Sequence, residues 1–420
     1  MSDDSAASGG GEDPLRICFV ADLDLTHHFG ATLRALSTLE ALSHLGEVDV
    51  LSISEDATEA TTQASPWSTG RHHVVPRSDF KVPSTSPPAG SHARRLTHLI
   101  VSTLRPAPDP RIAWPPHLTK PPHTPYDLLW AFGEFSNAVG RSIEAHHRIW
   151  DMVDYQLYGD TTVAGPGTGW SDVRRIGLRK VLGNRLRRRR QRAEYLALAT
   201  GMDHVVVSNL SETRRSGISS ISLIPNSYPA PIGDGAPVAR DTDALTVVFV
   251  GNFFYPPNLQ GMEWFLERVW PLVEQSAPDA QLLVIGDGGR EKLGAGSASV
   301  LVLDRVPEIR PLIERAHVSV APILAGTGSR LKILEAWALS TPVVSTTIGA
   351  RGLAAENGRN IFIEDTPEGF AARILHVHRQ PRLAADIARE ARATFARDHS
   401  QDRINTLVRR LVTAVRAGRG

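Results

Sequence analysis

AGTGSRLKILEAWALSTPVV, residues 325–344, decides how this chain folds. The run divides into a loop, AGTGS, with glycines at 326 and 328; a helix without breakers, RLKILEAWAL; and a strand start, TPVVS. The apolar run VSVAPI, residues 318–323, leads into the loop, so the order is strand, glycine loop, helix, strand. A βαβ unit of this kind puts its loop at the carboxyl end of the first strand, where open α/β sheets bind ligands. Gly326 and Gly328 let the backbone approach a ligand with no Cβ in the way. The first amides of the helix point into the same space and favour an anion. Arg330 stands at the helix start, with Lys332 and Glu335 one turn apart on one stripe. Two cations and a carboxylate just beyond an anion-holding loop suit a phosphate joined to a polyol, as in a nucleotide-sugar.

Outward from this unit the alternation continues. LTVVFVGNF, QLLVIGDGG, SVLVLDRV and IFIED read as strands. PNLQGMEWFLERVWPLVEQS reads as a helix, and PEIRPLIERA as a helix opened by Pro307 and Glu308. Three helical segments run from Pro367 onward. Upstream, the Pro/Gly/Asp-rich stretch 227–243 reads as a linker. Before it the pattern starts afresh. LRICFVADL is an apolar strand of the type buried in parallel sheets, ATLRALSTLEALSHLG a helix closing at Gly46, and EVDVLSI a second strand. HHVVP, YDLLWAF, HRIWDMVD, HVVVSN and ISLIPNS extend the strand set, with HARRLTHLIVSTL, FSNAVGRSIEA and LSETRRSG as helices. The expected fold is α/β: two Rossmann-like, doubly wound parallel-sheet domains in tandem, facing across a cleft. The expected boundaries are a disordered leader 1–14, an N-terminal acceptor-binding domain 15–226 with a flexible insertion 55–90, and the linker 227–243. A C-terminal nucleotide-sugar domain 244–396 and a C-terminal helix 397–420 complete the division.

Whole-chain totals fit this plan. A length of 420 residues suits two domains. The net charge of +1 gives no overall preference for nucleic acid, and none is expected as a partner. Cys18 is the single cysteine, so no internal disulfide framework exists, and its apolar surroundings mark it as a buried small hydrophobe. No run approaches the length of a membrane-spanning helix. The acidic, Gly/Ser-rich start is the opposite of a signal peptide, which points to a cytoplasmic location. Residues 173–192 read as a basic helix, with ten Arg and Lys and no acid between Arg174 and Arg192. Three readings stay open for it: a solvated face near an anion, peripheral contact with an anionic inner-membrane surface, or nucleic-acid binding. The absence of interleaved aromatics argues against the last.

The stretch GNFFYPPNLQGMEWFLERVWPLVEQSAPDAQLLVIGDG, with VPEIRPLIERAHVSVAPILAGTGSRLKILEAWALSTPVVSTTIGARGL after it, resembles the donor-binding domain of family 4 glycosyltransferases. These are retaining enzymes of the GT-B fold. The likeness is strong from about residue 246 to 370 and closest to the subgroup with a G-T/S-R-L-K-I-L-E-A run. In the N-terminal half only the opening βαβ, the IWDMVDYQ turn and the IPNS turn carry it.

The resemblance implies roles for individual residues. Glu335 matches the second Glu of the family's E-x7-E motif, which holds the ribose hydroxyls of the nucleotide; a carboxylate can accept from both hydroxyls of a cis-diol. Arg330 and Lys332 fall on the diphosphate, with backbone amides of Gly328 and Ser329. Gly30 corresponds to the glycine that lets the first N-terminal loop approach the diphosphate from the other domain. Gly251, Asn252, Gly326, Thr327 and Leu331 complete the donor-binding set. This sequence departs from the pattern at Thr327, which stands where the first Glu of the motif contacts the transferred sugar. Asn252 and the PPN turn, Pro256 to Asn258, replace a basic residue. The family's catalytic-region histidine has no evident counterpart. Asp151 and Asp154 occupy the plausible place for an acceptor contact or base, so the candidate catalytic residues are Asp154, Asp151, Arg330 and Lys332.

Plainer readings stand beside these. Lys332 and Glu335 could form an ordinary helix-surface pair. GDGG, residues 286–289, could be a simple turn, and His27 and His28 loop residues. No metal-ligand spacing and no G-x-S-x-G nucleophile motif occur, so neither metal nor cofactor is expected. The expected function is a retaining glycosyltransferase, a hexosyltransferase, moving sugar from a nucleoside-diphosphate sugar to an acceptor hydroxyl. The alternatives are a non-catalytic nucleotide-binding partner protein, kept open by Thr327, and a nucleotide-sugar epimerase or hydrolase on the same fold.

Overall fold

The computed structural model describes residues 14–23, 25, 30–54, 69–80, 112, 114–116, 125–152, 189–190, 192–209, 217–229, 244–326 and 330–418. Two sheets carry these residues, and every ladder pairing in them is parallel. The first sheet holds β1 (Leu15–Ala21), β2 (Gly46–Ser54), β3 (His72–Pro76), β4 (Tyr126–Phe132), β5 (Ala145–Met152), β6 (His204–Val207) and β7 (Ile221–Leu223). Their order is β3-β2-β1-β4-β5-β6-β7. The second holds β8 (Thr246–Val250), β9 (Gln281–Ile285), β10 (Val300–Leu303), β11 (Val318–Ala321), β12 (Val343–Ser345) and β13 (Phe362–Ile363), in the order β10-β9-β8-β11-β12-β13. The doubly wound class expected from the apolar runs is therefore present in both halves. Ile17 to Ala21 of β1 are all buried, as in a strand covered on both faces, and Cys18 is among them.

Helices α1 (Gly30–Ser43) and α2 (Glu134–Gly140) belong to the first half. Gly46 does not close α1. It opens β2, where a Cβ would lie 2.0 Å from the Leu15 carbonyl oxygen, so close strand approach fixes a glycine there. In the second half, the single helix expected over 257–276 is one rod with three parts: α3 (Pro256–Trp264), a π-helical stretch Phe265–Val269, and α4 (Trp270–Ser276). Pro271 explains the break, because it has no N–H for the carbonyl four residues back and the ladder must re-space around it. After α5 (Gly289–Leu293) comes α6 (Arg310–Arg315). It starts three residues beyond the expected Pro307, with Pro311 in its first turn, where a missing N–H costs nothing. Then follow α7 (Leu331–Ala338), α8 (Pro367–Arg379), α9 (Pro381–Asp398) and α10 (Gln401–Arg416).

The last helix crosses back. Ile404, Val408, Leu411, Val412 and Val415 of α10 are buried in the same core as Leu39 and Leu42 of α1 and Ile17 and Phe19 of β1. Gln401 bridges the two helices, its Nε2 donating to the Ser37 carbonyl at 2.8 Å. The cores of the second half draw their fully buried apolar residues from 245–395. No described helix is long and apolar enough to cross a membrane. The expected helix at 92–104, all but Gly217 of that at 210–217, the leader up to residue 13, most of the 55–90 insertion and most of the basic run 173–192 lie outside the described residues.

Candidate functional site

β8 and β11 are neighbours, and the chain leaves them in opposite directions along the sheet, toward β9 and β12. The loops after these two strands therefore flank a topological switch point, the crevice where such sheets take ligands. The loop after β8 is held from below. The Gly251 N–H donates to the Ile285 carbonyl and the Phe253 N–H to the Asp287 carbonyl, each at 2.9 Å. Asn252 turns the loop by accepting from the Phe254 N–H at 2.8 Å. Gly286 has φ +142°, and a Cβ on it would stand 2.0 Å from the Gly251 oxygen. GDGG thus acts as the floor under the loop, in keeping with its reading as a turn.

The loop after β11 leads into α7, whose first turn carries the cations. Arg330 occupies the position just before the helix. Its Nη2 donates to the Gly326 carbonyl at 3.3 Å, while its buried Nε has no hydrogen-bond partner among the described residues. Leu331 opens the helix and packs toward its core. Lys332 is partly exposed, yet its ammonium group is enclosed. It donates to Asn258 Oδ1 at 2.7 Å and lies 4.8 Å from the Phe249 ring centroid. Asn258 Nδ2 in turn donates to the Asn252 carbonyl at 2.8 Å, which ties the two loops together. Glu335 is 8% exposed, close enough to Tyr228 for the two side chains to influence each other. A solvent-exposed Lys332–Glu335 surface pair is therefore not what the helix presents.

Burial sets the electrostatics. It lowers Lys332 to about 7, with Arg330 pushing the same way and Glu335 opposing. It raises Glu335 to about 7, with Tyr228 and Lys332 opposing. Arg330 is lowered to about 10, chiefly by burial; Tyr255 opposes, and repulsion from Arg351 adds to the lowering. Cations with an unsatisfied buried donor are costly in an apo site and gain most from an anionic ligand. Next to them, a buried carboxylate accepts hydroxyl hydrogen bonds.

The remaining sequence candidates fall differently. Gly30 is the first residue of α1 rather than part of the preceding loop. Asp151, expected as an acceptor contact or base, is fully buried on β5. Its Oδ1 receives Arg34 Nε at 3.0 Å and Nη2 at 2.8 Å. The desolvation that raises the Asp151 carboxyl is opposed by this buried guanidinium, so Asp151 is an internal counter-ion, out of reach of an acceptor in this structure. Asp154, Thr327, Gly328, Ser329, His27 and His28 lie outside the described residues. Among the described residues, no group of three or more His, Cys, Asp and Glu could hold a metal ion.

Tyr228, Asn258 and Arg351 join the site without having been singled out as ligand contacts. The PPN turn hinted at Asn258; nothing local pointed to Tyr228, which lies 107 positions before Glu335 in a segment read as linker.

Residues 244–380 match the family model described as Glycosyl transferases group 1. A Klebsiella pneumoniae protein, described as an uncharacterized 44.6 kDa protein in the cps region, is 31% identical over 146 residues. That match covers 32% of this chain and 38% of the relative, so the chain matches well under half of that relative's length. Among solved structures, Anabaena HepE in complex with UDP and glucose aligns with TM-score 0.59 at 15% identity, covering 95% of this chain and 100% of that one. Sucrose-phosphate synthase from Thermosynechococcus elongatus aligns with TM-score 0.62 at 16% identity, covering 96% and 99%. Loops, cations and carboxylate thus sit in a matched group 1 glycosyl transferase domain, in a chain with the two-sheet GT-B architecture.

Proposed function

We propose that this chain is a retaining glycosyltransferase that binds a nucleoside-diphosphate sugar mainly in its C-terminal half and transfers the sugar to an acceptor hydroxyl held by its N-terminal half. The observation that carries this reading is the grouping of Arg330, Lys332 and Glu335 at the start of α7, beside the switch point of the second sheet. Arg330 and Lys332 take the diphosphate, and Glu335 takes the ribose hydroxyls. The family match over 244–380 and a relative solved with UDP and glucose support a sugar-nucleotide donor.

In the reaction the bond between the sugar and the terminal phosphate oxygen breaks, and a bond to the acceptor oxygen forms. The acceptor proton leaves for the departing diphosphate or a base. Negative charge grows on the diphosphate as it departs. Arg330 and Lys332 are already oriented there by Gly326 and Asn258, so little reorganisation accompanies the charge. The proposed reaction uses no metal and no cofactor.

The test is incubation with a panel of UDP-, GDP- and dTDP-sugars and candidate acceptors, following free diphosphate and the anomeric configuration of the product by NMR. Release with retention is the expected result. Inverted product would overturn the retaining assignment. Thr327, where relatives carry an acid, favours one rival: a nucleotide-binding protein without turnover. Tight nucleotide binding with no release in any combination would establish that rival.

A further inference from the structure

We propose that Asn258 is a positioning residue for the donor diphosphate: its side-chain amide holds the Lys332 ammonium with a neutral acceptor, so the cation is fixed in place while its charge stays free for the ligand. The inference rests on the reading of Lys332 as a diphosphate contact.

The amide is itself held from several sides. Asn258 lies in the first turn of α3 and is buried. Its backbone N–H donates to the Tyr255 carbonyl at 3.0 Å. Its Nδ2 donates to the Asn252 carbonyl at 2.8 Å, which turns Oδ1 toward Lys332. Gly251 makes room for this arrangement, since a Cβ there would stand 2.9 Å from Nδ2 and 3.1 Å from the amide carbon. Further along α3, a Cβ on Gly261 would stand 2.2 Å from the Pro322 carbonyl oxygen. The helix that carries Asn258 is thus pressed onto the chain that leaves β11 and leads to Lys332.

Both groups that the neighbouring elements offer to Lys332 are uncharged. From α3, Asn258 Oδ1 accepts at 2.7 Å; from β8, the Phe249 ring centroid lies at 4.8 Å. The charged groups that act on the ammonium come from its own segment and oppose each other: Arg330 just before α7 and Glu335 within it. An ammonium carries more N–H donors than the one bond to Asn258 uses, and the rest can serve phosphate oxygens. A carboxylate at position 258 would pair with Lys332 and cancel the charge that a diphosphate needs. It would also set a lone pair against the Asn252 carbonyl, where Nδ2 now donates. The amide fixes the cation and does neither.

The test is calorimetric titration of UDP, GDP, uridine and guanosine into the wild-type chain, Asn258→Asp, Asn258→Ala, Lys332→Met and the Asn258→Ala/Lys332→Met double variant, over a series of pH values. Asn258→Asp is expected to weaken binding of the preferred diphosphate about 10- to 100-fold, and Asn258→Ala about 3- to 10-fold. Affinity for the matching nucleoside should stay within about 3-fold in both, because the ammonium serves the phosphates. Asn258→Asp should also move the alkaline limb of the diphosphate affinity to higher pH, since a carboxylate beside Lys332 favours its charged form. The double variant should bind no more weakly than Lys332→Met alone. Equal losses for nucleoside and diphosphate with an unmoved alkaline limb would show a loop brace only and overturn the proposal. So would additive losses in the double variant, which decides the matter if Asn258→Asp does not fold. Wild-type affinity in both Asn258 variants beside a weakened Lys332→Met also overturns it, and leaves the donor reading standing. Unchanged diphosphate affinity in Lys332→Met, or no binding of either diphosphate to the wild type, removes the donor reading itself.

Discussion

Lys332 stands where the needs of binding and of folding oppose each other. Its ammonium is enclosed by Asn258 and the Phe249 ring, and burial has drawn it down to about 7. Replacing an enclosed cation by an apolar chain of similar length is often neutral or stabilising. Lys332→Met is therefore expected to keep or raise the melting temperature while weakening nucleoside-diphosphate binding at least ~10-fold, as calorimetry and thermal unfolding would show. The pH dependence follows from the two groups that sit near 7. Lys332 holds its proton below that pH and loses it above, so diphosphate affinity falls on the alkaline side. Glu335 is ionised above it and protonated below, so ribose binding falls on the acid side. The expected profile is a bell centred near neutrality. Lys332→Arg should flatten its alkaline limb, since a guanidinium keeps its charge. Asp151 makes the contrasting case. Removing one member of a buried ion pair leaves the other uncompensated, so Arg34→Ala is expected to destabilise the fold by about 3–5 kcal/mol in urea titrations. Preserved stability in that variant would contradict the counter-ion role. The sequence shows Arg330, Lys332 and Glu335 as a group because they fall within six consecutive residues at the start of one helix. It hides Asp151's partner because Arg34 lies 117 positions away.

Elements were legible where one local signal dominates. Runs such as TVVFV and YDLLWAF, buried on both faces, declare parallel strands without help from the rest of the chain. Helix interiors were legible for the same reason, but their breaks and starts depended on single residues. Pro271 splits the long helix after β8 through a π-helical stretch, and Pro311 sits inside the first turn of α6 although Pro307 offered an earlier start. The destination of α10 was not legible at all. An amphipathic helix announces that one face is apolar and says nothing about which surface will cover it. That surface proves to be α1. Val408 is fully buried there, so Val408→Asp is expected to cost about 3 kcal/mol or more, measured by chemical denaturation of the full chain. Loss of stability by this route, with nucleotide affinity retained in the folded fraction, would show that α10 supports the first half and not the donor pocket.

At the scale of the whole molecule, two sheets with the same winding are joined by two passages of chain that meet at Asn226. The halves also touch where the chain follows β6 and β12. Gly352, at φ +89°, follows β12, and a Cβ on it would stand 2.3 Å from Asn209 Nδ2 of the first half. Gly352→Ala is expected to leave nucleotide affinity within about 3-fold while lowering turnover about 10-fold or more, because alanine is strained at this φ and displaces the Asn209 side chain from the contact. Equal losses in both quantities would place the fault in the donor pocket instead. The return of α10 to the first sheet has a further consequence, during synthesis. A ribosome releases β1 to β7 early, but the apolar surface of α1 stays bare until Ile404, Val408, Leu411 and their neighbours emerge, after the whole of the second half. The second half, with its buried apolar residues drawn from one stretch between 245 and 395, can close while α10 is still inside the exit tunnel. The half that is translated first is the half that finishes folding last, and until then it depends on whatever in the cell shields bare apolar surface.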